Sequence, residues 1–412
     1  MFQSQFYPFD KVSVSDSCWS LSTGPDGRIY ASICTESMGG VSVYIARYNP
    51  QTDGLDYVLD VAEATGHHVD SGHATHCKIH YGFMPSLSDG VLYAATHLSA
   101  PPGNGFYYSS LSDWRHPRRG FSGSLLMAYD TAHDRLLWHD IMIPREGARC
   151  CCLDEQRGRI YSVSYPRDHL IVYDLDTRKP RDLGRIGSVN SQAIFSDRRG
   201  RVYTADQYGR LLRYDPDSDD LRELDCYVPV APGQSGWHAV LYDVVEAPAG
   251  DCVYGISWNV EPQLFRYWPE DGPEGRMEPL GSVTQARDRT MPVSMFLDHA
   301  GGLVFGPDDA LYYVRSEWPS GAEVDNILAQ QMNHLNVEAV LMRLDPKTLE
   351  KREVHRLTRP QGPVNYATRG AMSQEGEMFF GMVCAAPNGF FRVRHEEWPE
   401  SRSIEKSIRY WG

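Results

Sequence analysis

The sequence has no run of about 18 apolar residues, which excludes a membrane-spanning helix. Positive charge is short. Forty Lys and Arg face 54 Asp and Glu, a formal net charge of −14, so the basic footprint of a nucleic-acid binder is missing. The first residues, MFQSQFYPFDKVS, show no basic segment followed by an apolar one. The expectation is a cytoplasmic chain as the sequence stands, or a periplasmic or secreted one if a signal peptide has been trimmed. Nine cysteines include one cluster, Cys150-Cys151-Cys152, and no C-x-x-C pair of the kind that builds a zinc site. They are expected to be reduced and mostly buried. There is no G-x-S-x-G elbow and no phosphate-cradling glycine loop.

Tyrosine and glycine are plentiful, 24 and 36, which favours strands and tight turns. One pattern recurs: a polar turn with Gly or Asp, a short strand carrying Tyr, a hairpin, and a second strand ending near Tyr-Asp. Its clearest copies are DGRIYAS…YIARYNP, DGVLYAATH…LLMAYDT, RGRIYSVS…LIVYDLD and RGRVYTAD…LLRYDPD. Weaker copies are GDCVYGIS…LFRYWPE, DDALYYVRS…LMRLDPK and EGEMFFGMV…FFRVRHE. The marker aromatics are Tyr30, Tyr93, Tyr161, Tyr203, Tyr254, Tyr312 and Phe379. Shorter gaps between them suit one four-stranded propeller blade, and longer ones leave room for loops and a helical insert in AEVDNILAQQMNHL. Seven copies predict an all-β, seven-bladed β-propeller of mostly four-stranded antiparallel blades, a single domain over 1–412. The blades fall near 18–62, 73–145, 146–187, 188–233, 237–284, 291–358 and 363–406. Two separate β-sandwiches would not return the same hairpin at every stage.

Six of the fifteen histidines fall within Gly66–Leu98. In a propeller, the segment leading into the innermost strand and the turn after the second strand open on one face. This rule gathers His76, His97, Tyr165, Arg149, Arg185, Asn190 and Gln192 at the channel mouth. Later blades add Trp237, His238, Asn259, Tyr366 and Arg369. Lys78 and His80 lie deeper, pointing either into the channel or between blades. Few carboxylates occur at these positions, so the mouth should be positive and take an acidic poly- or oligosaccharide. His76 and His80 are four residues apart, which in a strand is roughly 13 Å and too far for one ion. A metal shared between blades stays open.

His, His, Tyr and Arg together can remove the C5 proton of a uronic acid. Cations at the carboxylate stabilise the developing charge, one group takes the C5 proton and another protonates the departing O4. The result is β-elimination, leaving a 4,5-unsaturated uronate. The chain resembles the seven-bladed-propeller polysaccharide lyases, the ulvan lyases and the related rhamnose–glucuronate lyases. The residues that carry the resemblance are His76 in THCKIH, His97 at the end of the next strand, Tyr165 of SYP and a following arginine. It implies Tyr165 and His76 as the acid/base pair, with His97 and Arg185 at the carboxylate. Arg181 is closer to the family's separation; Arg185 suits the loop geometry better. Elimination needs no cofactor, though an auxiliary calcium or zinc ion has room. Export is usual for such enzymes, so this chain would instead process imported oligosaccharides or be truncated. Two other readings are a metal-dependent oligogalacturonate lyase, for which His238 is the candidate ligand, and a non-catalytic carbohydrate- or protein-binding propeller. No nucleic acid and no membrane are expected as partners, and the chain should be a monomer or weak homo-oligomer.

Overall fold

The computed structural model describes residues 1–35, 42–68, 74–97, 120–188, 191–233, 239–258, 261–283, 299–317, 338–360, 366–383 and 387–398. Seven four-stranded antiparallel sheets follow one another around a ring. In each, strand A lies innermost and strand D outermost. Blade 1 comprises Leu21–Thr23, Ile29–Ile33, Tyr44–Asn49 and Gly54–Asp60. Blade 2 comprises Phe83–Ser86, Val91–Ala95, Gly123–Asp130 and Arg135–Pro144. Blade 3 comprises Gly147–Asp154, Arg159–Tyr165, His169–Asp174 and Lys179–Arg185. Blade 4 comprises Phe195–Ser196, Val202–Ala205, Arg210–Asp215 and Asp220–Tyr227. Blade 5 comprises Val240–Glu246, Val253–Trp258, Gln263–Trp268 and Arg276–Ser282. Blade 6 comprises His299–Phe305, Leu311–Glu317, Glu338–Leu344 and Lys351–Leu357.

Blade 7 runs Tyr366–Met372, Met378–Val383 and Gly389–His395, and takes its outermost strand, Phe2–Pro8, from the other end of the chain. The sequence reading ended this blade in the C-terminal segment and left the first residues outside the repeats. The pairing Phe2↔His395 to Pro8↔Gly389 closes the ring by hydrogen bonds instead. The only α-helix among the described residues is the single turn Val61–Thr65, capped by the Asp60 carboxylate on the Ala62 and Glu63 N–H groups. No described helix is long and apolar enough to cross a membrane. The expected helical insert lies outside the described residues.

The repeat has a physical cause. The Asp in the A–B turn accepts from the Tyr that follows on strand B: Tyr30 to Asp26 at 3.0 Å, Tyr93 to Asp89 at 3.2 Å, Tyr203 to Asp197 at 3.0 Å, Tyr312 to Asp308 at 3.0 Å. The ring buries in the blade stack while its hydroxyl fixes the turn, so one residue serves both needs. Each interface between neighbouring blades has its own apolar cluster, such as Tyr30 and Ile45 of blade 1 against Leu92 and Met127 of blade 2. Strand B is buried throughout, whereas strand D of blade 3 is largely exposed. Side chains that must meet a ligand at the channel therefore come from strand A or from the ends of B.

Candidate functional site at the inner ends of blades 2 and 3

Before strand A of blade 2, the chain runs alongside the end of strand B. The Lys78–His97 bridge fixes this, with the His97 N–H donating to the Lys78 carbonyl at 2.6 Å. His97 is fully buried, and neither ring nitrogen has a hydrogen-bond partner among the described residues. Its ring stands edge-on to Tyr165, centroids 5.0 Å apart at 85°. Gly147 makes the room: a Cβ there would come within 1.9 Å of His97 Nδ1. Gly147 is also the ladder partner of Tyr165, so one glycine sets both rings.

His80 lies behind. Its Nδ1 meets the Arg149 carbonyl at 2.6 Å. A carbonyl only accepts, so Nδ1 carries the proton and Nε2, which has no partner among the described residues, is left as an acceptor. The His80 ring stacks on Trp19 at 4.6 Å and meets His97 edge-on at 5.7 Å. The Lys78 ammonium sits 4.3 Å over the Trp19 ring. Both residues left open by the sequence thus belong to this cluster.

His76 is close but turned aside. Its Nδ1 meets Thr96 Oγ1 at 2.8 Å and its Nε2 meets Ser122 Oγ at 3.3 Å. Phe121, 4.9 Å from the His76 ring, shares a buried cluster with Tyr165.

Arg149 is the arginine that lies against Tyr165. The register of blade 3 steps between Ala148 and Cys150, a bulge that leaves Arg149 as the extra residue. Its guanidinium lies 5.4 Å from the Tyr165 ring centroid. Arg185 ends strand D, the outermost of the blade, and is exposed with its Nε on the Gly187 carbonyl at 2.7 Å. Arg181, on the same strand, is tied to Asp219 and Tyr214 of blade 4. Neither arginine on this strand contacts the His97–Tyr165 pair among the described residues, whereas Arg149 does.

Gln192 is buried, with its N–H on the Leu241 carbonyl at 2.9 Å and no partner on Oε1 among the described residues. Tyr366 begins strand A of blade 7 and is buried. Arg369 is committed to a fully interior ion pair, Nη1 to Asp243 Oδ1 at 2.5 Å, and covers the Tyr81 ring at 3.8 Å. Its charge is matched by Asp243 within the protein. Asn190, Trp237, His238 and Asn259 lie outside the described residues.

Burial drives the His76, His80 and His97 imidazoles well below their usual range, and the charges of Lys78 and Arg149 push His80 and His97 further. All three rings are neutral at pH 7. The cations of the cluster are Arg149 and Lys78, not the histidines. Carboxylates are present after all. Glu146 is buried and accepts from Ser164 and Arg167. Asp168, in the turn after Tyr165, is 2% exposed with neither oxygen partnered among the described residues. Burial lifts its carboxyl to about 6, against the pull of Arg149, Arg185 and His169. A Tyr-Pro-Arg-Asp turn was the sequence signal that could have drawn attention to it. No group of three or more His, Cys, Asp or Glu placed to hold a metal occurs among the described residues.

Fold and site together define a seven-bladed propeller with a buried cluster of His97, His80, Tyr165, Arg149 and Lys78 between blades 2 and 3. No family model and no curated protein sequence matches the chain. Solved structures share the fold. One is the extracellular domain of a B. thetaiotaomicron protein classed as a one-component system, at TM-score 0.57 and 14% identity, over 96% of this chain. This chain spans 40% of that protein's length. A second is the periplasmic gluconolactonase of Pseudomonas aeruginosa, at TM-score 0.55 and 14% identity, covering 92% of this chain and 93% of that one. A third is a catalytically inactive variant of virginiamycin B lyase from Staphylococcus aureus with quinupristin, at TM-score 0.55 and 11% identity, covering 96% and 100%. Identities this low bear on the fold alone.

Proposed function

We propose that the protein is a lyase that cleaves an acidic poly- or oligosaccharide at O4 of a uronic acid by β-elimination. One observation carries the reading: a neutral imidazole at His97 with no hydrogen-bond partner among the described residues, edge-on to the Tyr165 phenol, with the Arg149 guanidinium over that phenol. A neutral imidazole is ready to accept a proton and a phenol is ready to give one.

In this reading Arg149, with Lys78 behind it, meets the uronate carboxylate and stabilises the charge that develops when C5 loses its proton. His97 takes that proton. The C5 electron pair forms the C4–C5 double bond as the C4–O4 bond breaks, and the Tyr165 hydroxyl protonates the departing oxygen. No water is added, and the proton on His97 and the one lost by Tyr165 are exchanged with solvent afterwards. His76, with both ring nitrogens on hydroxyls, holds the Thr96–Ser122 wall instead of transferring protons. The metal-dependent reading has its candidate, His238, outside the described residues.

Glucuronate-containing glycans incubated with the protein should develop the ultraviolet absorbance of an unsaturated uronate. Tyr165→Phe should lower the rate by about 100-fold or more while the melting temperature holds. Binding of such glycans without any chromophore would make the protein a carbohydrate-binding propeller and end the lyase reading.

A further inference from the structure

The carboxyl of Asp168 has no part in the elimination just described. It stands three residues past Tyr165, between strands B and C of blade 3, in a left-handed backbone position at φ 54°. Its backbone carbonyl is used, accepting from the Ile186 N–H at 2.8 Å. Its two side-chain oxygens have no donor among the described residues, and the residue is 2% exposed. A carboxylate removed from water without donors is costly, and such a group is kept where a ligand brings the donors. The charges that face it are Arg149 from strand A, His169 from strand C and Arg185 from strand D. Arg167, in the same turn, is held by Glu146 from the connection that leads into strand A.

We propose that Asp168 binds the sugar by accepting hydrogen bonds from two neighbouring ring hydroxyls, so that the site selects a ring whose hydroxyls are free and rejects one that is O-sulfated there. The inference rests on the carbohydrate reading above. A carboxylate offers two acceptor oxygens side by side, the match for a vicinal diol. A sulfate ester removes a donor and sets a second negative charge against the first. A site built around a hydroxyl discriminates strongly against an analogue that lacks it.

Binding then has a proton signature. Donors on Asp168 favour its ionised form and lower its pKa in the complex. Below about pH 6, binding therefore releases a proton, and affinity falls by up to about tenfold per pH unit as pH drops. The buried neutral imidazoles would take up a proton when an anionic sugar arrives, the opposite sign.

The test is calorimetry of the full chain with an unsulfated glucuronate-containing oligosaccharide, in buffers of different ionisation enthalpy between about pH 5 and 7. Tyr165→Phe serves as the parent, to stop turnover, and Asp168→Asn is added to it. The parent should release a proton on binding and prefer the unsulfated glycan over its sulfated counterpart. Asp168→Asn should bind at least about tenfold more weakly and release none. Equal binding by Asp168→Asn, proton uptake by the parent, preference for the sulfated glycan, or no binding of either glycan by the parent would each overturn the proposal. The two-glycan comparison needs no Asp168 variant, so a misfolded one does not spare the idea. Unsaturated product from the wild type, with binding indifferent to Asp168, would sink this inference and leave the lyase. Asp168-dependent binding without product would do the reverse.

Discussion

At the scale of single residues, the cluster is held at a cost to stability. Asp168 has its carboxyl raised to about 6 by burial, against about 3.9 in an unfolded chain. Below both values the group is protonated in both states and contributes no difference. Between them the folded protein binds the proton more tightly, so stability falls as pH rises. Above about 6 the folded state carries a buried, poorly compensated charge worth about 3 kcal/mol. Asp168→Asn removes that charge. It should therefore be more stable than the wild type at pH 8, with the gap closing as pH falls from about 6 to about 4, in chemical unfolding followed across pH. A variant less stable at pH 8 would mean that Asp168 has a structural partner. The sequence showed little of this. His97 and Tyr165 were legible because each ends a strand B, and equivalent ends meet at one face. Asp168 was not, because its importance lies in what its oxygens do not touch.

At the scale of elements, the decisive feature is the bulge in strand A. Strict alternation, the tool available to sequence reading, fails in several A strands: the register steps around Arg149, around Tyr242, between Gly301 and Val304, and between Ala367 and Gly370. The skipped residues include Arg149, Tyr242 and Arg369. Arg149 lies over the Tyr165 ring, and Arg369 pairs with Asp243, the residue beside Tyr242. The sequence placed Arg149 at the mouth but not over the Tyr165 ring, because alternation does not foresee a bulge. The closing strand was hidden for a different reason. Phe2–Pro8 shows no repeat motif, because it supplies one strand to a blade whose other three lie at the far end of the sequence. Tyr7 and Arg392 join Asp53 of blade 1 beside it, so this strand also fastens blade 7 to blade 1. Deleting residues 1–8 removes Phe2 and Phe6 from the blade 6–7 cluster and Tyr7 from the blade 7–1 cluster. Full burial of one such side chain contributes about 1.5–3 kcal/mol, and the half-buried Phe2 and Phe6 contribute less than buried Tyr7. The truncated protein should melt at a markedly lower temperature and form aggregates through the bared edge of Gly389–His395 in size-exclusion chromatography. An unchanged melting temperature would show that the ring closes without this strand.

At the scale of the whole molecule, the ring brings together groups far apart in the chain. Asp243 of blade 5 accepts from Arg369 of blade 7 and from the Gly302 and Leu303 N–H groups of blade 6. Arg369 covers Tyr81, Tyr81 meets His80 at 4.3 Å, and His80 meets His97. The proposed proton-transfer pair is thus backed by a line of packed side chains that reaches blades 5 and 7, fastened by backbone N–H groups of blade 6. The repeats made the ring legible, because the same Asp–Tyr turn recurs. The line across its centre was not legible, because its members share no motif. Whether this cluster performs elimination is read most directly by the mass of its products. Digestion of a glucuronate-containing oligosaccharide in water enriched in oxygen-18 should give two fragments whose masses sum to that of the substrate, with no heavy oxygen in either. Fragments heavier by one water and carrying the label would mean hydrolysis, and would contradict the account at its centre.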